Sequence, residues 1–311
     1  MLSRRSVRVK VMQLLYMLNR DEQLHFPDMV KEYNGGIWNT YELYIFHLFL
    51  LLKVAQQAEK DASNRAAKLL PSEDDKLFKP VLYANPCTKS LANHVEFLQI
   101  AAKYKANENL DEDYLRKLYQ AFNDTPEYKA YLALPEATEE DHRKILLELY
   151  RFLTTQDIFL EMTEDRYTNW QDDESLVVGA MKKTIKAMPV SGAFYQEFEP
   201  SDETVREFGE QLLRKTCQED QELFGLIDPM LKNWDAERVA VLDMILLKMA
   251  LCELLFFPTI PTKVTLNEYV EISKVYSTDK SKDFINGILD RLMKKLLKEE
   301  RIVKEGRGLI E

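Results

Sequence analysis

The stretch that decides the fold runs from Asp228 to Arg291: DPMLKNWDAERVAVLDMILLKMALCELLFFPTIPTKVTLNEYVEISKVYSTDKSKDFINGILDR. Apolar residues recur in it every three or four positions, in three segments separated by proline or short polar joints. This spacing places the apolar side chains along one side of a 3.6-residue helix. The stretch therefore predicts three consecutive helices.

The ends of the first two segments carry recognisable signals. Pro258 and Pro261 end the first helix, because proline lacks the backbone donor that a helix interior needs. In the second segment, Thr265 followed by Glu268 three residues later predicts a capping box at the helix start. The apolar stripe of the first segment consists of Val239, Leu242, Ile245, Leu246, Met249 and Ala250.

The third segment starts after Thr278 and Asp279 and contains a glycine. Gly287 inside a helix costs roughly 1 kcal/mol relative to alanine, so we expect a close helix crossing or a ligand near the backbone there. The apolar positions of this segment are Phe284, Ile285, Ile288, Leu289, Leu292 and Leu296.

Several short motifs in this stretch occur in an order that points to a known family. The run NWDAER, then D..IL, then IP..V..NE..EI.K, then S..FINGILD resembles the C-terminal half of the NusB family of bacterial transcription antitermination factors. At the other end, RRSVRVKVMQLLY from Arg4 to Tyr16 resembles the arginine-bearing first helix of that family. The resemblance implies an all-α, NusB-like core of two packed three-helix bundles, with an additional helical subdomain.

The resemblance divides the chain into four predicted parts. Residues 1–20 form the first helix of the core, and residues 21–200 are a helical insertion of unknown role. Residues 201–298 complete the core, and 299–311 form a charged, frayed tail. The segment 189–202 is the best boundary, because it combines proline, glycine and loss of periodicity.

Composition supports an all-α protein that is not an enzyme. The chain has 311 residues, of which 46% are hydrophobic, so it can supply a large core, and it has only nine glycines and eleven prolines. Three distant cysteines fit neither a disulfide framework nor a zinc site, which favours the cytoplasm. No histidine pair has metal-ligand spacing, and there is no glycine-rich phosphate loop, so we expect no cofactor.

The insertion contains a dense apolar run and several predicted breaks. Leu43 to Leu52 (LYIFHLFLLL) spans only ten residues, short of the roughly 20 that a membrane helix requires, so we expect a buried helix. Pro27 and the pair Gly35–Gly36 predict breaks before it. The helix that contains the run is predicted from Asn39 to about Leu70.

The net charge of −10 is unevenly distributed. Residues 1–20 carry five basic groups and no acidic ones, whereas residues 21–200 carry 20 basic and 31 acidic groups. Residues 262–310 carry 11 basic and 8 acidic groups. Both family-like ends can therefore offer basic surface to a phosphate backbone.

The resemblance implies RNA-binding roles for residues at both ends. Arg4, Arg5 and Arg8 would bind RNA from a free face of the first helix, whereas charge alone favours an ordinary solvated terminus. Lys280 and Lys282 would bind phosphate near the start of the last helix. Phe284 beside them would stack on a base, or it is simply a core residue.

A second surface is implied on the first helix of the opening stretch. Asp243 and Lys248 would contact NusE, the small-subunit ribosomal protein that partners NusB; alternatively, Asp243 pairs with a neighbouring basic side chain. Glu253 and Glu268 are predicted to be structural.

Together these features imply a non-catalytic, cytoplasmic RNA-binding factor. With NusE it would recognise a boxA-like single-stranded RNA and join the antitermination complex of RNA polymerase during ribosomal-RNA transcription. No membrane association is expected. The alternative is a helical protein-interaction scaffold with reduced or lost RNA binding. The NusB fold is also found fused to ribosomal-RNA cytosine methyltransferases, but no part of the sequence resembles that catalytic domain.

Overall fold

The structure, a computed structural model, describes residues 2–21, 23, 25–108, 110–231 and 239–309. Within these ranges the regular elements are helices and there is no strand, which confirms the all-α class. The chain forms two compact units. We call Leu2–Ile37 with Pro200–Glu311 the terminal unit and Trp38–Glu199 the central unit. The motif NWDAER, at 233–238, lies outside the described residues.

In chain order the α-helices are α1 (Arg4–Arg20), α2 (Phe26–Ala66), α3 (Glu73–Leu77), α4 (Val81–Ala84), α5 (Pro86–Ala92), α6 (Val95–Lys103), α7 (Glu112–Asn123), α8 (Pro126–Leu132), α9 (Glu139–Leu153), α10 (Asp157–Glu164), α11 (Trp170–Lys186), α12 (Gln211–Gln218), α13 (Asp220–Ile227), α14 (Val241–Phe256), α15 (Thr262–Tyr276) and α16 (Ser281–Lys298). Shorter pieces are 3₁₀ turns at Phe194–Phe198, Asp228–Leu231 and Gly306–Leu309, and a π-helix at Glu203–Glu210. The π-helix leads directly into α12.

Helix α14 lies at the centre of the terminal unit. It packs against α1, α12, α13, α15 and α16, and its residues from Ile245 to Leu254 are buried except Lys248. The sequence predicted a single apolar stripe here, whereas the helix buries all its sides, as a helix surrounded by others does. Pro258 and Pro261 follow its end, as predicted, and α15 begins directly after Pro261.

Helix α1 packs its apolar face into the terminal unit. Its start is a capping box, in which the side chains of Ser3 and Ser6 each accept a hydrogen bond from the other residue's backbone N–H. Val7 is fully buried and faces Gly209 of the π-helix, where an added Cβ would lie 2.3 Å from the Val7 Cγ1 atom and 1.9 Å from the Tyr33 hydroxyl. Only glycine permits this approach of the two helices.

Helix α2 differs from the predicted arrangement. It is one helix of 41 residues that continues through Gly35 and Gly36, where we expected breaks. Pro27 lies in its first turn, where a missing donor costs little. Buried Met29 and Ile37 lie on the same side of this part of the helix, and their packing outweighs the local cost of two glycines. The terminal unit accordingly extends to Ile37 rather than ending near residue 20.

The described residues after α16 pack against the terminal unit, whereas the sequence predicted a frayed tail. Ile302 is buried in the core of the terminal unit, and Lys304 Nζ donates to the carbonyl oxygen of Phe257 at 3.0 Å. Glu305 N donates to the carbonyl oxygen of Pro258 at 3.0 Å. An added Cβ on Gly308 would lie 1.9 Å from that same oxygen. The tail therefore packs on the turn between α14 and α15.

The central unit consists of short helices around the second part of α2. The apolar run from Leu43 to Leu52 is buried in its core, as predicted for a soluble helix. A capping box of Thr138 and Asp141 starts α9. Among the helices of the described ranges, none combines the length and apolarity needed to cross a bilayer.

Candidate nucleic-acid interface

Arg8 is buried rather than presented on a free face of α1. Its Nε donates to Glu253 Oε2 and its Nη2 to Glu253 Oε1, both at 2.7 Å. The Arg8 side chain is 2% exposed and that of Glu253 is 0% exposed. The expectation of a surface arginine is therefore wrong in this structure, because the side chain reaches inward to a carboxylate on α14.

The Glu253 carboxylate has two further donors on α15. Thr265 Oγ1 donates to Oε1 at 2.7 Å, and the Tyr269 hydroxyl donates to Oε2 at 3.2 Å. Thr265 is thus a buried residue inside α15, not the helix cap that its spacing from Glu268 predicted. A buried carboxylate with four donors is fully satisfied, and this confirms the structural role expected for Glu253.

The Arg8–Glu253 ion pair affects the pKa values of Arg8 itself and of the neighbouring Tyr269. Burial by itself lowers the pKa of Arg8, but the hydrogen bonds and the charge of Glu253 outweigh it and raise that pKa above its usual value. Burial and the charge of Glu253 raise the pKa of Tyr269 well above 10.0. Arg8 is therefore charged and Tyr269 is neutral at neutral pH.

Arg4 and Arg5 lie at the surface, but each is paired with a carboxylate. Arg4 Nη2 lies 3.1 Å from Glu203 Oε1, on the π-helix. Arg5 donates twice to Glu268 of α15, at 2.8 Å from Nε and 2.7 Å from Nη2. The hydrogen bond from Arg5 lowers the pKa of Glu268, so the carboxylate is charged at neutral pH. Sequence reasoning expected Glu268 to be structural and missed Glu203, since nothing local in the sequence relates either one to α1.

Lys280 and Lys282 are exposed at the start of α16. Neither forms an ion pair within the described part of the chain. No side chain caps the first turn of this helix, and the Ser281 N–H there donates to the carbonyl oxygen of Thr278 at 2.9 Å. Phe284, in contrast, is buried at 7% exposure among the apolar residues of the terminal unit, which is the core alternative that its periodicity left open.

Asp243 is also buried, and it holds the loop before α16. Ser277 Oγ donates to its Oδ1 at 2.6 Å and Ser281 Oγ donates to its Oδ2 at 2.8 Å. The expected basic neighbour is therefore replaced by two serine hydroxyls. Lys248 pairs with Asp220 of α13 at 2.5 Å and is mostly buried. In this structure both residues predicted to contact a partner are engaged within the chain.

Gly287 has open space around it. An added Cβ would meet nothing within 4 Å, so the expected close helix crossing at this position is wrong. The glycine faces away from the neighbouring helices, and its carbonyl oxygen accepts a hydrogen bond from Arg291 Nε at 3.1 Å.

The described residues contain no cluster of three or more metal-ligating side chains. The three cysteines are free, and burial raises the pKa of Cys252 to about 12 and that of Cys217 to about 11. Thiols with a raised pKa are poor nucleophiles.

Comparison with known proteins identifies relatives for part of the chain. The NusB family model matches residues 177–294, which include the second half of α11, the segment 187–199 and the terminal unit from Pro200 to residue 294. The resemblance at Arg4–Tyr16 lies outside this match. No solved structure matches the chain.

Three curated relatives carry the name "Transcription antitermination protein NusB". The one from Salinibacter ruber is 41% identical over 35% of this chain and 68% of its own length. Those from Chloroherpeton thalassium and Geobacter sulfurreducens are 35% and 39% identical, over 36% and 34% of this chain. The match spans about half (53%) of the Chloroherpeton protein and 78% of the Geobacter protein. At this identity and coverage, the chain belongs to the NusB family.

Proposed function

We propose that this protein is a non-catalytic transcription antitermination factor that binds a boxA-like single-stranded RNA together with NusE. Membership of the NusB family is the observation that carries the proposal. On this proposal the protein acts in the cytoplasm, in the antitermination complex of RNA polymerase.

The proposed RNA surface consists of exposed cations on two helices of the terminal unit. Arg4 and Arg5 supply guanidinium groups from α1, and Lys280 and Lys282 supply ammonium groups at the uncapped start of α16. Helix α15 links the two places, since its Glu268 pairs with Arg5 and its C-terminal end leads into the loop before Lys280. Such groups would bind phosphates, and binding would depend steeply on salt.

Arg8 and Phe284 enter the proposal in a changed role. Both are buried, so we assign them to the support of the RNA surface rather than to direct contact: Arg8 fixes α1 on α14, and Phe284 fixes the first turn of α16 in the core. Asp243 likewise fixes the loop before α16 through its two serines. We propose that NusE contacts the side of α14 on which the partly exposed Lys248 lies.

The test is a fluorescence titration of a short, labelled boxA-like RNA with and without NusE. We expect the combined change Arg4→Gln, Arg5→Gln, Lys280→Gln and Lys282→Gln to weaken binding at least tenfold and to reduce the salt slope by about 0.7 per lost phosphate contact. The matched control also changes four cations to Gln. They are exposed, ion-paired residues of the central unit: Lys60, Arg116, Lys129 and Arg151. Equal affinity of the fourfold variant and the wild type would refute this surface.

A second function is favoured by specific contacts. Arg4 and Arg5 of α1 are each paired with a carboxylate, and Asp279 and Asp283 flank Lys280 and Lys282 at the start of α16. These observations fit a helical scaffold for protein partners with little RNA affinity. Weak, salt-insensitive RNA binding by the wild type, with NusE binding retained, would support this function over the first.

A further inference from the structure

The pairing of Arg5 with Glu268 has the geometry of a phosphate complex. Two parallel N–H donors of one guanidinium reach two oxygens of one anion at 2.8 and 2.7 Å. Arginine binds a phosphate group with the same two-donor fork. The Arg5 side chain is 53% exposed, so an external anion can reach the groups that Glu268 now occupies.

Glu268 differs from Glu203, the other carboxylate that pairs with an arginine of α1, because it has a second cation beside it. Arg8 Nη1 lies 3.5 Å from Glu268 Oε2, so the carboxylate remains beside a positive charge if Arg5 turns away. Glu203, the partner of Arg4, is 70% exposed and has no second cation among the described residues. The release of Arg5 from Glu268 therefore leaves no stranded charge in the partly buried site.

We propose that Glu268 is an internal competitor for the RNA backbone, which occupies Arg5 until a phosphate replaces it. This inference rests on the proposed function and adds to it the control of affinity. Arg5 exchanges its partner, whereas Arg8 keeps Glu253 in both states. The Glu268 carboxylate lowers the affinity for RNA, because RNA must displace an existing ion pair instead of binding an unpaired cation.

The first experiment compares the wild type with Glu268→Gln in the labelled-RNA titration at several salt concentrations. Glutamine keeps the size of the side chain and can still accept a hydrogen bond, but it no longer holds Arg5 by charge. We expect the variant to bind about three- to tenfold more tightly, the range set by the loss of one partly exposed ion pair. Thermal unfolding of each variant shows whether it is folded. If Glu268→Gln is not folded, Glu268→Asp replaces it in the titration, because its side chain is shorter by one methylene and weakens the same ion pair.

A double-mutant cycle distinguishes two causes of tighter RNA binding in Glu268→Gln: the end of competition for Arg5, and a general loss of negative charge. In an Arg5→Gln background, Glu268→Gln should no longer tighten binding, because the cation for which the carboxylate competes is gone. The matched control is Glu271→Gln, which removes a carboxylate of the same helix that pairs with Lys274 and acts on Arg5 through its charge, without an ion pair to it. We expect it to change affinity less than about twofold.

The outcomes separate this inference from the proposed function. If neither the wild type nor Glu268→Gln binds RNA, the proposed function is wrong, and the inference with it. If the wild type binds and Glu268→Gln binds equally well, only the inference is overturned. Tightening that persists without Arg5, or that Glu271→Gln reproduces, also overturns it, because the effect would then be that of net charge.

Discussion

Arg8 of α1 and Glu253 of α14 form a buried ion pair with two hydrogen bonds of 2.7 Å, although 245 residues separate them in the chain. The guanidinium also lies over the Phe208 ring, 4.9 Å from its centre. The pair fixes the N-terminal helix to the central helix of the terminal unit. It links the two ends of the chain that resemble the NusB family.

Loss of Arg8 should destabilise the terminal unit strongly. Arg8→Met leaves the Glu253 carboxylate buried without a cation, so we expect the free energy of unfolding to fall by about 3–5 kcal/mol. Urea titration read by hydrogen–deuterium exchange in α14 and α15 measures this change within the unit. Adding Glu253→Gln should restore part of the loss, since a neutral amide needs no cation. Arg4→Met, the control at an exposed pair, should cost less than about 1 kcal/mol.

Replacing two glycines of the terminal unit with alanine should change the stability in opposite directions. Gly209→Ala places a Cβ against Val7 and Tyr33, so we expect a loss of about 1–3 kcal/mol from overpacking. Gly287→Ala meets open space in the interior of α16, so we expect a gain of up to about 1 kcal/mol. The same exchange experiment, read in α1 and α16, measures both; a loss of stability in Gly287→Ala would contradict the open environment.

Asp243 should control the order of the loop before α16. Asp243→Ala removes the acceptor of the Ser277 and Ser281 hydroxyls, and we expect a cost of about 1–3 kcal/mol. Amide exchange in residues 277–284 should become faster. Asp279→Ala, at an exposed position in the same loop, is the control and should leave these rates nearly unchanged. Equal effects of the two changes would show that the buried hydrogen bonds do not order the loop.

The central unit should lose stability in acid because of His47. Burial lowers the pKa of His47 from 6.5 to about 3, so the folded unit keeps the ring neutral where the unfolded chain protonates it. Unfolding therefore takes up a proton between pH 6.5 and 3, and the free energy of unfolding falls by at most about 1.4 kcal/mol per pH unit. Above pH 6.5 this residue adds no pH dependence.

The measurement is urea unfolding at several pH values, followed by tryptophan fluorescence, since the Trp170 ring lies 4.8 Å from the His47 ring. In His47→Gln the free energy of unfolding should decline less between pH 6.5 and 4 than in the wild type, because the contribution of the His47 ring is gone. His25→Gln, at an exposed position, is the control. Identical pH profiles for the wild type and His47→Gln would contradict the burial of a neutral ring.

Periodicity predicted the helices well where the sequence carried strong local signals. Pro258 and Pro261 marked the end of α14, and the six apolar positions predicted for the last helix are all buried in α16. The same rules were wrong where packing outweighs local cost. Gly35 and Gly36 predicted a break but lie inside α2. Thr265 predicted a helix cap but lies inside α15, where its hydroxyl donates a hydrogen bond to Glu253.

The sequence by itself determined the all-α class, the helices of the 228–291 stretch and the family to which the chain is related. Only the tertiary structure decided which charged residues are surface and which are core. Arg4, Arg5 and Arg8 are equivalent as sequence letters, yet Arg8 meets a buried carboxylate and the other two meet exposed or partly exposed ones. The physical reason is that helix periodicity arises from neighbours along the chain, whereas the burial and pairing of a charge depend on residues that folding brings from far away.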